Sequence, residues 1–245
     1  MNTVFSVIVD DFHEALIPLK DIVRDGQAKK SSMLARVASV NASTLLLAAT
    51  FEEFIRQMAR ECVAQAVAKA NNIDDLPDDL IDTAWRRTFH VFSRSRKADG
   101  TSKKEALRFL AKKAQPSIDA LCKFVEGDIK QDIFEHLIHN ENNMAPEEIN
   151  RLFKVGGLPN VCGEACKSIA LKAFFKLDDD GKTHGALVSS LNAFFERRNR
   201  IAHSLNSKSS SSSDEILRDI CMFVAFASDL GDTLETKILG RAKTD

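Results

Sequence analysis

A long helical repeat of apolar residues constrains the fold of this chain more than any other feature. The stretch STLLLAATFEEFIRQMARECVAQAV carries apolar side chains at spacings of four and three, at Leu47, Phe51, Phe54, Met58 and Cys62. Because an α-helix makes one turn in about 3.6 residues, these positions fall on one face that packs against a core. We predict a long amphipathic helix, capped by Ser43 or Thr44 and ended by Asn71-Asn72.

The rest of the chain is also helical in pattern. Further helices are predicted at about residues 4–25, 79–95, 102–114, 116–138, 146–155, 161–177, 185–206 and 214–240. Strict alternation of apolar and polar residues between turn dipeptides is missing, so strands are not expected. LDDDGKTHG is predicted to be a turn and residues 207–213 a flexible serine-rich loop, after which Ser212 and Glu215 form a capping box.

Length and composition bound the class of protein. The chain has 245 residues, 44% hydrophobic and 28% charged, which is enough to build one large helical domain. Its five cysteines are an odd number and mostly lie on apolar helix faces, a pattern typical of buried thiols in a reducing compartment. No stretch approaches the roughly 18 apolar residues that span a bilayer, and the N-terminus lacks the basic region of a secretory signal. We expect a soluble, cytoplasmic protein.

The middle of the chain concentrates positive charge. Between Arg86 and Lys113, ten lysines and arginines stand against two acids, a net charge of +8 in a chain whose total is -1. Trp85, Phe89, Phe92 and Phe109 are interleaved with them. This pattern indicates phosphate contacts with nucleic acid. It is equally typical of a solvated basic face whose aromatic side chains point into the core, and both interpretations stay open.

A polar cluster follows a phenylalanine pair in FFERRNRIAHSLN, residues 194–206. On a helix, Asn199 and His203 are four residues apart and share a face, and the long side chain of Arg198 can swing back towards them. A histidine can move protons near neutral pH, and an arginine binds phosphate through its planar fork. The set suits RNA cleavage in which the 2′-OH attacks its own phosphate, a reaction that needs no metal. An ordinary polar helix face has the same pattern.

The same stretch carries a family resemblance. RNRIAHS resembles the R-x4-6-H motif of the HEPN superfamily of all-α domains. NENNMAPEEINRLFKVGGLP, a helix, and then LVSSLNAFFERRNRIAHS are similar to the RiboL-PSP-HEPN branch, and LLLAATFEEFIRQMA is similar to the first core helix. The resemblance implies an all-α, HEPN-like bundle of antiparallel helices. We expect this bundle to form one domain over residues 1–245, with a basic helical insertion at about residues 72–115.

The resemblance also implies an activity. By this resemblance we expect an endoribonuclease with Arg198, Asn199 and His203 as catalytic residues. His203 would transfer protons, Arg198 would polarise the phosphate and Asn199 would hold the geometry. RNA is the implied substrate, and a homodimer with two facing motifs supplies the second acid–base group. By analogy we expect a role in phage defence or in a toxin–antitoxin or stress system, with an antitoxin or defence-system partner. The alternative is a non-catalytic HEPN module that binds RNA or nucleotides, or that drives oligomerisation.

Other residues are candidates for supporting roles. RNA contacts are expected from Arg197 and Arg200 beside the motif. Within the basic segment they are expected from Arg86, Arg87, Arg94, Arg96 and Lys97. Glu53 on the long helix is either a carboxylate that orients Arg198 or a surface acid.

No metal or cofactor is predicted. Cys162 and Cys166, four residues apart on a helix, could share a metal with His184, but a second Cys/His pair at zinc-finger spacing is missing. A core or helix-face position is the preferred interpretation for these thiols. His136 and His139 are interpreted as surface histidines near a helix end.

Overall fold

The computed structural model of the chain is all-α, as predicted. It describes residues 3–27, 32–94, 102–133, 137–138, 143–203 and 212–240, and these contain no strand. The α-helices are α1 (Val4–Ala15), α2 (Ile17–Gly26), α3 (Met33–Lys69), α4 (Asp78–Arg94), α5 (Lys103–Val125), α6 (Pro146–Lys154), α7 (Val161–Ala165), α8 (Ile169–Phe175), α9 (Asp180–His203) and α10 (Ser213–Leu239). A short 3-10 helix, Ile73–Asp75, lies between α3 and α4.

The two long helices α3 and α10 form the centre of the bundle. Helix α3 packs against α1, α2, α6, α9 and α10, and α10 packs in addition against α1, α2, α7 and α8. The apolar stripe predicted for α3 is buried, because none of its five members is more than 3% exposed. This part of the prediction is confirmed.

Phenylalanines from neighbouring helices meet beneath the polar cluster of α9. The ring centroid of Phe51 on α3 lies 4.3 Å from that of Phe223 on α10 and 6.3 Å from that of Phe195 on α9. Phe194 meets Phe223 edge-on at 4.9 Å. Because buried aromatic rings supply large contact areas, this cluster fixes α9 against both central helices. The residues that follow Phe51 and Phe195 are therefore held close together.

The start of α3 differs from the prediction. Ser43 and Thr44 do not cap the helix; both are fully buried inside it, and the Thr44 hydroxyl donates to the carbonyl of Val40 at 2.9 Å. The cap is Ser32, whose hydroxyl accepts from the backbone N–H of Ala35. A serine or threonine can bond back to the preceding turn, so a hydroxyl in the pattern does not by itself mark a helix start.

Proline does not divide α5. Two helices were predicted on either side of residue 115, but α5 runs through Pro116 and ends at Val125. Its second half is anchored by Leu121 and Phe124, at most 1% exposed, and this burial outweighs the hydrogen bond that the proline removes. The chain then turns at Gly127, whose φ of 110° suits a residue without a Cβ.

The predicted helix at 161–177 is divided into α7 and α8. The second piece starts where the backbone N–H groups of Ala170 and Leu171 donate to the Asp229 carboxylate, at 3.1 and 2.7 Å. Asp229 lies on α10, so the break depends on a residue distant in sequence. Helix α9 starts at Asp180, within the stretch predicted as a turn, because the side chain of Asp179 accepts from the N–H of Lys182.

Helix α3 is apolar beyond its buried stripe. An 18-residue window within it has a mean hydropathy of 1.4, which by length and composition could cross a membrane, and 33% of that window is buried in the fold. A core helix meets the same criterion, so one such helix does not define a membrane protein.

The cysteines occupy different environments. All five are free thiols; Cys62, Cys162 and Cys166 are buried, whereas Cys122 is half-buried and Cys221 is exposed. Burial raises the pKa of Cys62 and of Cys166 to about 12 and raises that of Cys162 as well. The prediction of buried thiols is confirmed for these three and is wrong for Cys221.

Candidate active site

Arg198 lies where three parts of the chain meet. Its Nη1 donates to Oδ1 of Asn199 on the same helix and to Oδ1 of Asn143 just before α6, both at 3.2 Å. Its Nη2 lies 3.9 Å from Oε1 of Glu52 on α3. The guanidinium is thus oriented by two amides and one carboxylate. With a side chain 30% exposed, it can still meet a ligand from solvent.

Glu52, rather than Glu53, is the carboxylate beside Arg198. Its side chain is only 13% exposed and also accepts from Arg56 at 3.3 Å. Burial raises the pKa of Glu52, and the positive charges of Arg198 and Arg56 act in the opposite direction. Glu53 is 46% exposed and pairs with Arg56 and Arg60, as expected of a surface acid.

The positions one turn before and one turn after Glu52 distinguish it from Glu53. Glu52 follows Ala48 by four residues and precedes Ile55 by three, and both of those are fully buried. A glutamate that shares a helix face with buried apolar residues is the sequence signal for Glu52, which Glu53 lacks. Asn143 has no comparable local signal, because it meets Arg198 across 55 positions of the chain. Its place is set by Met144, which is fully buried, and by the start of α6 at Pro146.

Asn199 and His203 lie along the same helix. The half-buried Asn199 bonds Arg198, and His203 is exposed at the last residue of α9, one turn further on. Arg200 is exposed as well. The structure therefore joins Arg198 to Asn199 directly and leaves the imidazole of His203 open to solvent at the helix end.

Arg197 faces away from this cluster. Its guanidinium pairs with Asp219 at 2.5 Å and with Glu215 at 3.0 Å, both on α10. The side chains of Arg197 and Asp219 are 15% and 13% exposed, and burial raises the pKa of Asp219 to about 6 although Arg197 opposes it. The RNA contact expected of Arg197 is not supported, because this arginine ties α9 to α10. Ser212 caps α10 as predicted, but the Glu215 carboxylate pairs with Arg197 and does not complete the predicted capping box.

The arginines predicted in the basic segment differ in their surroundings. Arg86 is exposed and pairs with Asp82 at 2.9 Å. Arg87 is half-buried and donates to the carbonyl of Leu137, and burial lowers its pKa to about 10. The RNA contact expected of Arg87 is thus not supported either. Arg96, Lys97 and the side chain of Arg94 lie outside the described residues.

The aromatic side chains of the segment are largely at the surface. Trp85 is 44% exposed, Phe89 40% and Phe109 69%, and the rings of Trp85 and Phe89 lie 5.0 Å apart. The interpretation in which these aromatics point into the core is wrong for these three residues.

Metal-ligating groups do not converge in the part of the chain that the structure describes. No set of three or more His, Cys, Asp and Glu side chains is placed there to hold an ion. His136 and His139 fall outside the described ranges.

One known protein family matches most of the chain. The model of the RiboL-PSP-HEPN family matches residues 13–236, which include the long core helix, the basic segment and the Arg198–His203 stretch. Neither the curated proteins nor the solved structures give a match. With nearly the whole chain matched and an all-α fold, this protein belongs to the RiboL-PSP-HEPN family.

Proposed function

We propose that this protein is a metal-independent endoribonuclease with Arg198, Asn199 and His203 in its active site. The observation that supports this most directly is the placement of Arg198, whose guanidinium is oriented by two amides and a carboxylate while its side chain stays 30% exposed. A guanidinium held in this way can bind a phosphate without first having to be ordered. Family membership supports RNA as the ligand, because the family suggests a ribonuclease or an RNA-binding module.

The chemistry proposed is an internal transfer at phosphorus. An imidazole accepts the proton of the 2′-OH, the 2′-oxygen forms a bond to the adjacent phosphorus, and the bond from phosphorus to the 5′-oxygen breaks. The departing 5′-oxygen takes a proton from an imidazolium. Arg198 stabilises the additional negative charge on the phosphate oxygens during this exchange. The products are a 2′,3′-cyclic phosphate and a 5′-hydroxyl.

The reaction uses one proton acceptor and one proton donor, and we propose that a second copy of the chain supplies the other histidine. An apolar face of α3 supports this pairing. Leu34, Leu45 and Leu46 are 81%, 36% and 47% exposed, and exposed alanines lie between and beyond them at 38, 42 and 49. This face runs along α3 towards Glu52, so a copy docked there would bring two sites together.

The test is a cleavage assay on total cellular RNA in the presence of EDTA. Wild-type protein is expected to cut RNA and leave 2′,3′-cyclic phosphate ends, while His203→Gln loses cleavage and keeps its thermal unfolding temperature. His184→Gln is the matched control, because His184 lies on the same helix several turns before Arg198. Retained activity in His203→Gln would overturn the assignment. Complete inactivity of the wild-type protein would favour the non-catalytic module.

The proposed setting is the cytoplasm, in phage defence or in a toxin–antitoxin or stress system with a protein partner that controls the nuclease. This rests on analogy with the superfamily. Induced expression of the wild-type protein is expected to arrest bacterial growth, and expression of His203→Gln to an equal level is not. Equal growth arrest by both proteins would contradict a nuclease-based effect.

A further inference from the structure

Helices α4 and α5 form an antiparallel hairpin at the side of the bundle. Its base is marked by an open cavity of about 470 Å³, where Val125 at the end of α5 lies beside Asp78, Ile81 and Trp85 in the first half of α4. Because the end of α5 meets the start of α4, the first half of α5 belongs to the opposite end of the hairpin. We call this part, Lys103–Lys113, the distal arm.

Charge is separated along the hairpin. The distal arm carries five cations, Lys103, Lys104, Arg108, Lys112 and Lys113, against the single acid Glu105, a net charge of +4. All five cations are exposed, and none of them pairs with an acid among the described residues. The acids of α4 lie near the base, in its first turns. Unpaired cations with exposed heads are available for phosphate groups.

The distal arm also exposes large apolar side chains. Leu107 is 58% exposed and Phe109 is 69% exposed, while Ala106 and Leu110 are half-buried and Ala114 is buried. Two residues correspond to about 200° around a helix, so Leu107 and Phe109 lie on nearly opposite sides. The half-buried Ala106 and Leu110 lie between these two side chains around the helix, so the middle of the apolar face is turned into the fold and no broad face is left open to a membrane surface. An exposed ring flanked by cations is suited to stacking with an unpaired base.

The distal arm lies towards the end of the molecule that holds Arg198. Asp79 near the start of α4 pairs with Lys154 at the end of α6, at 3.0 Å, whereas the charge of Arg87, further along α4, acts on Arg151 and Glu148, nearer the start of α6. Helix α4 therefore runs antiparallel to α6. Beyond Arg87, α4 continues towards the N-terminal end of α6, the end that Asn143 precedes in the chain; Asn143 accepts from Arg198. The distal arm of α5 is at that same end of the hairpin.

We propose that the distal arm is a binding surface for single-stranded RNA that leads the strand to the Arg198 site. Lys104, Arg108 and Lys112 follow each other at intervals of four residues and form one row of phosphate-binding cations along the helix. Phe109 precedes Lys112 by three residues and offers its ring to a base beside that row. The inference rests on the proposed function in so far as RNA is the substrate.

The test measures binding in the His203→Gln background, so that cleavage cannot obscure it. The probe is a short unstructured oligouridine with a fluorescein label, and its dissociation constant is measured by anisotropy at several salt concentrations. The arm variant combines Lys104→Gln, Arg108→Gln and Lys112→Gln. The control variant removes three exposed cations elsewhere, through Lys176→Gln, Lys182→Gln and Arg218→Gln. Circular dichroism verifies that both variants are folded.

The arm variant is expected to bind at least tenfold more weakly than the control variant. Its salt dependence should be shallower by about 2 in the slope of log affinity against log salt, since a single-strand phosphate contributes about 0.7. Phe109→Ala should weaken binding about tenfold, because a base can no longer stack on the ring. Equal affinities of the arm and control variants would overturn the proposal.

Two further results separate this inference from the proposed function. If anionic vesicles of phosphatidylglycerol, and not oligouridine, bind the distal arm, the proposal is overturned in favour of a membrane surface. For cleavage, the three arm substitutions are placed in the wild-type protein, with His203 intact. If that protein cuts RNA as fast as wild type and the arm variant binds as tightly as the control variant, the inference fails and the nuclease stands. If oligouridine binds through the arm but the wild-type protein never cuts, the inference holds and the nuclease proposal fails.

Discussion

Two adjacent arginines of α9 should respond to the same substitution in opposite ways. Arg197 pairs with Asp219 in a contact where the two side chains are 15% and 13% exposed, whereas Arg198 is 30% exposed and meets Glu52 at 3.9 Å. We expect Arg197→Gln to lower stability and Arg198→Gln to lower activity. The two substitutions are well matched, because both remove one arginine charge at neighbouring positions of the same helix.

The magnitude for Arg197 follows from its burial. Removal of one partner from a fully buried ion pair costs about 3–5 kcal/mol. Neither side chain is fully buried here, and Asp219 can take up a proton when its partner is lost, so we expect about 2–3 kcal/mol for this contact. For a chain of this length, that corresponds to a fall of about 5–10 °C in Tm. Arg198→Gln should keep Tm within about 2 °C, while cleavage falls about 100- to 1,000-fold with the loss of an anion-stabilising group.

Thermal unfolding by circular dichroism and initial cleavage rates, measured well below both unfolding temperatures, check these expectations. Joint replacement by Arg197→Met and Asp219→Leu should recover much of the lost stability, because an apolar pair of similar size avoids the unpaired charge. An unchanged Tm in Arg197→Gln would refute the structural role. If such a variant also lost RNA cleavage, Arg197 would belong to the active site instead.

Two further substitutions test the contacts that hold the site and the fold. Glu52→Gln should lower cleavage about tenfold through loss of the charge that orients Arg198, and Glu53→Gln should not. Because burial raises the pKa of Glu52, wild-type activity should fall on the acid side at a higher pH than an exposed glutamate would cause, and an identical acid limb in Glu52→Gln would contradict this. Asp229→Ala removes the acceptor for two backbone N–H groups and should cost about 2 kcal/mol by chemical denaturation. The exposed Asp232→Ala is the control, and equal stability of the two variants would exclude this capping role.

Features set by local periodicity could be predicted from the sequence. The stripe of α3, the start of α6 at Pro146 and the cap at Ser212 each depend on residues within a few positions of one another. The predictions failed where distant residues decide. The break before α8 depends on Asp229, and the continuity of α5 through Pro116 depends on packing of its second half.

The candidate site shows the same division. Arg198, Asn199 and His203 could be identified because they lie within one helical stretch and resemble a family motif. The partners of Arg198 could not be identified in this way, since Glu52 and Asn143 contact it from other parts of the chain. The exposure of Phe109 was also undecided, because a basic helix with interleaved aromatics is compatible with either a buried or an exposed ring.

The different surroundings of Arg197 and Arg198 follow from the contacts that α9 makes with both central helices. Successive residues point about 100° apart around a helix, so one arginine faces α10 and the next faces α3. The phenylalanine cluster sets the rotation of α9, because Phe194 packs on Phe223 of α10 and Phe195 lies beside Phe51 of α3. A rotation by one residue would bring Arg197 towards Glu52 and leave Asp219 buried without a partner. The aromatic core therefore selects which arginine of the pair is available to a phosphate.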